Sequence, residues 1–144
     1  MKYQIVTTKI NKKNIYINHI REAYYLLNEY YPNLDREHGF LITLNNDHKV
    51  ISISIIGIGS AKKVILSPRN IFIKACEDKA NFIIVAHNHP HKRQKITPSQ
   101  SDINHFRLLY YISKKIDIEL LDSIVFNSNT YVSLKYNESK LVFT

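Results

Sequence analysis

The sequence predicts an α/β fold, a single-domain mixed β-sheet flanked by helices. Three observations predict it. Short apolar runs such as Phe82-Ile83-Ile84-Val85-Ala86 interleave with stretches whose apolar residues recur at helical spacing. Polar turn clusters separate the segments, and no repeat, low-complexity stretch or linker interrupts them. The 144 residues suffice for one domain with a sizeable core and not for two, so residues 1–144 are read as one unit.

The elements follow in chain order. Tyr3 to Thr8 reads as a strand and Asn11 to Asn14 as a polar turn. Ile20, Tyr24, Leu27 and Tyr31 recur at helical spacing, which predicts a helix from about Asn18 to Tyr30 with Asn18 as N-cap. Tyr31-Pro32-Asn33 ends it. A strand runs from Glu37 through Leu44, Asn45 to His48 form a hairpin turn, and Val50 to Ile56 return, with Ser52 and Ser54 alternating against the isoleucines. Gly57 and Gly59 mark where backbone freedom is kept. Pro68 opens a helix near its N1 position, reaching about Lys79. Cys76 within it reads as a small buried residue. Phe82 to Ala86 is an unbroken apolar run and so a strand buried on both faces. A helix follows from Ser99 to about Lys115, burying Ile103, Phe106, Leu109, Tyr110 and Ile112. Ile118–Phe126 and Thr130–Leu134 close a hairpin around Asn127-Ser128-Asn129. No element is assigned to residues 137–144.

Composition narrows the setting. No run is long enough to span a bilayer and no signal-peptide pattern opens the chain, so cytoplasmic residence without a membrane partner is expected. The lone Cys76 excludes an internal disulfide and agrees with a reducing compartment. Lys and Arg outnumber Asp and Glu by 20 to 12, a net charge of +8, and basic domains attract polyanions. Most of this charge is spread along the chain, as a merely solvating surface would have it. The one concentration is His91-Lys92-Arg93-Gln94-Lys95. It offers a weak nucleic-acid contact through His91, Lys92, Arg93 and Lys95, or a contact to another acidic partner.

That basic loop lies between the residues that carry chemistry. In an extended segment, side chains two apart share a side, so His87 and His89 can aim two imidazoles at one ion while Asn88 points away. Ser99 and Asp102 are three apart, on one face of a helix's first turn. If that turn returns to the strand's end, Asp102 becomes a third ligand. Two imidazoles and a carboxylate form an open set for catalytic Zn²⁺. The plainer reading stands beside it: a His-x-His pair on a surface, and a Ser-x-x-Asp helix cap. Ser99 can serve both. His19, His38, His48 and His105 read as surface or packing residues, and His91 as an alternate ligand or substrate contact.

At these residues the chain resembles a known family. His87-Asn88-His89-Pro90 followed by Pro98-Ser99-Gln100-Ser101-Asp102-Ile103 is similar to the JAMM (MPN/JAB) metalloprotease signature in its RadC-like form. Arg36-Glu37 with Phe40 to Leu44, Gly59-Ser60, Ser67-Pro68-Arg69, Leu121-Asp122 and Tyr131 to Leu134 extend the resemblance, in the family's order, over about residues 34–134. There are departures. Nine residues separate His89 from Ser99, more than the family usually has, and His91-Lys92 replaces its Ser-Gly. Asn70 and Ser123 stand where the family carries Glu and His. None of these is a proposed ligand; they bear on substrate handling.

The resemblance implies a cytidine-deaminase-like layering and a zinc-dependent metallopeptidase or isopeptidase-like hydrolase acting on a peptide or protein. In that reading His87, His89 and Asp102 hold Zn²⁺. Glu37, singled out by the family pattern alone, passes a proton from water to the leaving amine. Ser99 donates to the oxyanion. The alternative is a DNA-repair-associated accessory protein that binds nucleic acid weakly and keeps a structural or vestigial metal site. Full-length family members carry a helix-hairpin-helix module ahead of this domain; nothing before Glu37 has its glycine-containing hairpins, so none is expected here.

Overall fold

The computed structural model describes residues 6–9, 14–32, 34–58, 66–90 and 95–136. In chain order the elements are β1 (Val6–Lys9), α1 (Ile20–Tyr30), β2 (His38–Leu44), β3 (Val50–Ile58), α2 (Pro68–Glu77), β4 (Phe82–Asn88), α3 (Gln100–Ile116), β5 (Glu119–Phe126) and β6 (Tyr131–Ser133). The strands form one six-stranded sheet ordered β1-β3-β2-β4-β5-β6. All neighbours are antiparallel except β4 and β5, which run parallel and are joined through α3. This is the mixed sheet with flanking helices that the element pattern predicts.

Two cores sandwich the sheet, and side-chain alternation sorts residues between them. Leu41, Ile83 and Val85 point to one face, where Ile71 and Ala75 of α2 and Phe106 and Leu109 of α3 cover them. Phe40, Ile42, Ile84 and Ala86 point to the other, covered by Ala23, Tyr24 and Leu27 of α1. With helices on both sides, β4 reads as a continuous apolar run because it is buried on both faces. The alternation of β3 does not separate core from solvent: Ser52 and Ser54 are fully buried. Ser52 and Thr43 instead donate to Asp78 Oδ2, which closes the end of α2, and Lys74 pairs with the same carboxyl group at 3.1 Å.

Local chemistry explains most boundaries. Asn45 Oδ1 accepts from the main-chain N–H of Asp47 and Lys49, and His48 takes the left-handed conformation, φ 66°, so the β2–β3 turn is built as expected. Ser67 caps α2 with Pro68 at its first turn. Three expectations are corrected. The N-cap of α1 is His19, not Asn18, and the side chain of Glu22 reaches back to the Asn18 N–H instead. Cys76 is exposed on α2, because Ile71, Phe72, Lys74 and Ala75 occupy the inward side. Gly57 has no positive φ. The glycine that matters is Gly39, where an added Cβ would lie 1.8 Å from Leu66 Cδ2. Tyr3–Ile5, Asn11–Lys13, Gly59, Ser60 and residues 137–144 lie outside the described residues.

Candidate metal centre

β4 and the residue that follows it carry the first two candidate ligands. The apolar run continues into strand pairing through Asn88, beyond the predicted end at Ala86. His87 sits between Gly39 of β2 and Val125 of β5, and the His89 N–H donates to the Phe126 carbonyl at 2.8 Å. Both imidazole-bearing residues are therefore held by backbone pairing rather than by a loose loop. Alternation from Val85 puts His87 and His89 on the face covered by α2 and α3. Their rings lie 5.4 Å apart, centroid to centroid, inclined by 51°.

The third ligand comes from the start of α3. Ser99 is its N-cap, and a reciprocal capping box fixes the first turn: Ser99 Oγ accepts from the Asp102 N–H at 3.1 Å, while Asp102 Oδ2 accepts from the Ser99 N–H at 2.9 Å. The other carboxylate oxygen, Oδ1, lies 3.3 Å from His87 Nε2. Capping and ligation are thus not rival uses of this carboxylate, since each takes one oxygen. Both side chains are nearly buried, 11% and 13% exposed.

The geometry fits a small cation. One ligand atom each from His87, His89 and Asp102 lies within 4.8 Å of the others, and among the described residues this is the one such trio. Two ligands held about 2.0–2.1 Å from a tetrahedral ion stand roughly 3.3–3.4 Å apart, the separation seen between His87 Nε2 and Asp102 Oδ1. Three protein ligands leave an open position. Burial pushes the Asp102 carboxyl up. The hydrogen bond and charge of His87, with the bonds from Ser99, outweigh it and hold the group well below the usual carboxylate range. Asp102 is therefore ionised at neutral pH, as a ligand must be.

The remaining sequence candidates are placed as follows. Glu37 stands one residue before β2, so the strand begins at His38 rather than at Glu37. His38 stacks on Phe40, on the α1 face, and Glu37 lies between Arg36 and His38, whose main-chain groups both bond to Asn88 of β4. Ser99 is exposed at the rim. Among the other histidines, His38 contacts the Arg36 carbonyl, His48 packs on Phe82 and His105 contacts the Leu66 carbonyl, roles in packing as expected. His91, Lys92 and Arg93 lie outside the described residues; Lys95 is exposed. Sequence reasoning missed Asn88, which does point away from the trio but does not face solvent: it is 3% exposed and bonds to the entrance of β2. Its burial at the end of an apolar run was the available signal. A cleft of about 300 Å³ opens at the same end of the sheet, lined by Tyr31, Asp35, Asn88, His89, Pro90 and Phe126 among others.

Comparison with known proteins finds a family and several relatives. A family model described as the RadC-like JAB domain matches residues 17–140. The chain is 37% identical over 123 residues to a UPF0758 protein of Clostridium acetobutylicum, covering 85% of this chain and 53% of that protein. A UPF0758 protein of Desulfitobacterium hafniense is 36% identical over 119 residues, covering 83% and 52%. One from Clostridium perfringens is 41% identical over 95 residues, covering 66% and 41%. The chain spans about half the length of the curated relatives it matches. No helix among the described residues is long and apolar enough to cross a membrane.

Proposed function

The chain belongs to the RadC-like JAB domain family, and from that premise and the His87–His89–Asp102 geometry we propose that it is a zinc-dependent metallopeptidase, an isopeptidase-like hydrolase of peptide or protein substrates. The observation that carries the reading is the 3.3 Å approach of His87 Nε2 and Asp102 Oδ1, the edge of a tetrahedral site with three protein ligands. When bound there, zinc would supply Lewis acidity and lower the pKa of water toward neutrality.

The chain's own residues divide the remaining work. Glu37, at the mouth of β2 beside the ligand-bearing strand, takes the proton of the attacking water and later delivers it to the leaving amine. Ser99 Oγ accepts from the Asp102 N–H, so its own O–H serves as donor, at the rim where a carbonyl oxygen would gain charge. The backbone pairing of β4 and the capping box of α3 hold the three ligands in place before any substrate arrives.

Metal analysis tests the reading. Wild-type protein is expected to bind one equivalent of zinc, and Asp102→Ala to lose it. Zinc-loaded wild type should hydrolyse members of a mixed peptide pool that Glu37→Gln leaves intact. Equal zinc in wild type and Asp102→Ala would end the proposal. The basic run His91-Lys92-Arg93-Gln94-Lys95 favours a second reading, an accessory role on nucleic acid. That reading requires salt-sensitive DNA binding that falls on neutralising Lys92, Arg93 and Lys95, with no peptide cleaved.

A further inference from the structure

Regular pairing of β2 with β4 ends at Gly39 and His87. One residue further along β4, a side chain takes over from the backbone ladder. Asn88 Oδ1 accepts from the His38 N–H at 2.7 Å, and Asn88 Nδ2 donates to the Arg36 carbonyl at 3.0 Å. The orientation of the amide is not arbitrary: a main-chain N–H can only donate and a carbonyl can only accept, so one end of the carboxamide fits each. The two groups it grips belong to the residues on either side of Glu37. His38 adds a contact from its ring to the same Arg36 carbonyl, at 2.9 Å.

The residue type is specific to this task. Aspartate lacks the donor for Arg36, leucine lacks both functions, and serine is too short to span two peptide groups. Asn88 is nearly inaccessible, and its neighbours on either side, His87 and His89, are the candidate ligands. A rigid strand thus presents ligands to one face and, through the intervening residue, grips the backbone of the candidate base from the other.

We propose that Asn88 is a positioning residue, whose carboxamide fixes the Arg36–His38 backbone so that the Glu37 carboxylate is held over the open side of the His87–His89–Asp102 site. This rests on the reading of Glu37 as the base at that site. A base displaced by an ångström loses much of its effect, and an amide locked at both ends prevents that displacement.

The test uses the 144-residue chain loaded with Co²⁺, whose visible spectrum responds to what meets the ion's open position. Glu37→Gln is expected to shift that spectrum. Asn88→Ala is expected to shift it in the same way, and the double variant to go no further than Glu37→Gln alone. Cobalt affinity in Asn88→Ala should stay within about 10-fold of wild type, because His87 and His89 are held by backbone pairing and Asp102 by its capping box; a residue that merely supported the ligands would cost roughly 10–100-fold. If Asn88→Ala does not fold, Asn88→Leu, similar in volume, removes both bonds and carries the same test. An Asn88 variant with the wild-type spectrum, while Glu37→Gln shifts it, overturns the positioning role and leaves the base in place. An affinity loss beyond about 10-fold overturns it in favour of ligand support. A Glu37→Gln spectrum identical to wild type removes the base reading and the inference with it.

Discussion

Replacing Asp102 by alanine should have two separable effects, because its two oxygens have different partners. Oδ2 completes the capping box with the Ser99 N–H. Losing that bond costs about 1 kcal/mol, the usual worth of an N-terminal cap. For a chain of this size the midpoint of thermal unfolding should fall by roughly 3–4 °C in metal-free protein. Oδ1 faces His87 Nε2. With zinc at 100 times its dissociation constant, wild type should gain about 2.7 kcal/mol, or roughly 8–11 °C. Asp102→Ala should gain little of this at the same zinc concentration. Ser99→Ala is the control. It removes the hydroxyl that accepts from the Asp102 N–H but leaves the carboxylate, so it should lose a similar 3–4 °C or so without metal and keep most of the zinc-dependent gain. Differential scanning calorimetry with and without zinc reads both quantities. Equal zinc-dependent gains in wild type and Asp102→Ala would refute the assignment of Oδ1. A Ser99→Ala variant that loses the gain would refute the division of labour between the two oxygens.

Other outcomes follow from features away from the ligands. Asp78→Ala should destabilise by about 3–5 kcal/mol in urea unfolding, because it strands the nearly buried Lys74 ammonium and leaves the Thr43 and Ser52 hydroxyls only their bond to each other. Burial pushes the Asp78 carboxyl up, but its bonds from Ser52, Thr43 and Lys74 outweigh that and hold it below its ordinary value. Its stabilisation is therefore complete above the unfolded value of 3.8 and is lost as pH falls through the folded one; the gap between wild type and Asp78→Asn should narrow in acid and stay constant from pH 5 to 7. Gly39→Ala should cost about 1–3 kcal/mol by driving a methyl into Leu66, and Leu66→Ala in that background should be less damaging than in wild type, measured as a double-mutant cycle.

Much of the fold was legible because its signals are local. The strand of Phe82 to Ala86, the Asn45 turn, the Pro68 helix start and the Ser99 cap each follow from a few adjacent residues. The His-x-His pair and the Ser-x-x-Asp step were legible as ligands in waiting for the same reason. What the sequence left unread depends on partners far along the chain. The buried serines of β3 make sense only beside Asp78, more than 20 residues on. Gly39 is small because of Leu66, and Asn88 is an amide because of backbone groups 50 and 52 residues earlier. Cys76 was misplaced because helical spacing alone does not say which flank of α2 meets the sheet. The turn that α3 makes back onto β4, bringing Asp102 to His87, could only be posed as a condition.

The way the ligands are anchored also bears on the stretch between them. His87 takes its place from strands on either side, His89 from its bond to Phe126, and Asp102 from its own helical turn, with Ile96 buried in the core just ahead of that turn. Substitution of His91, Lys92 or Arg93 therefore changes the charge carried between the ligands without removing any group that aims them.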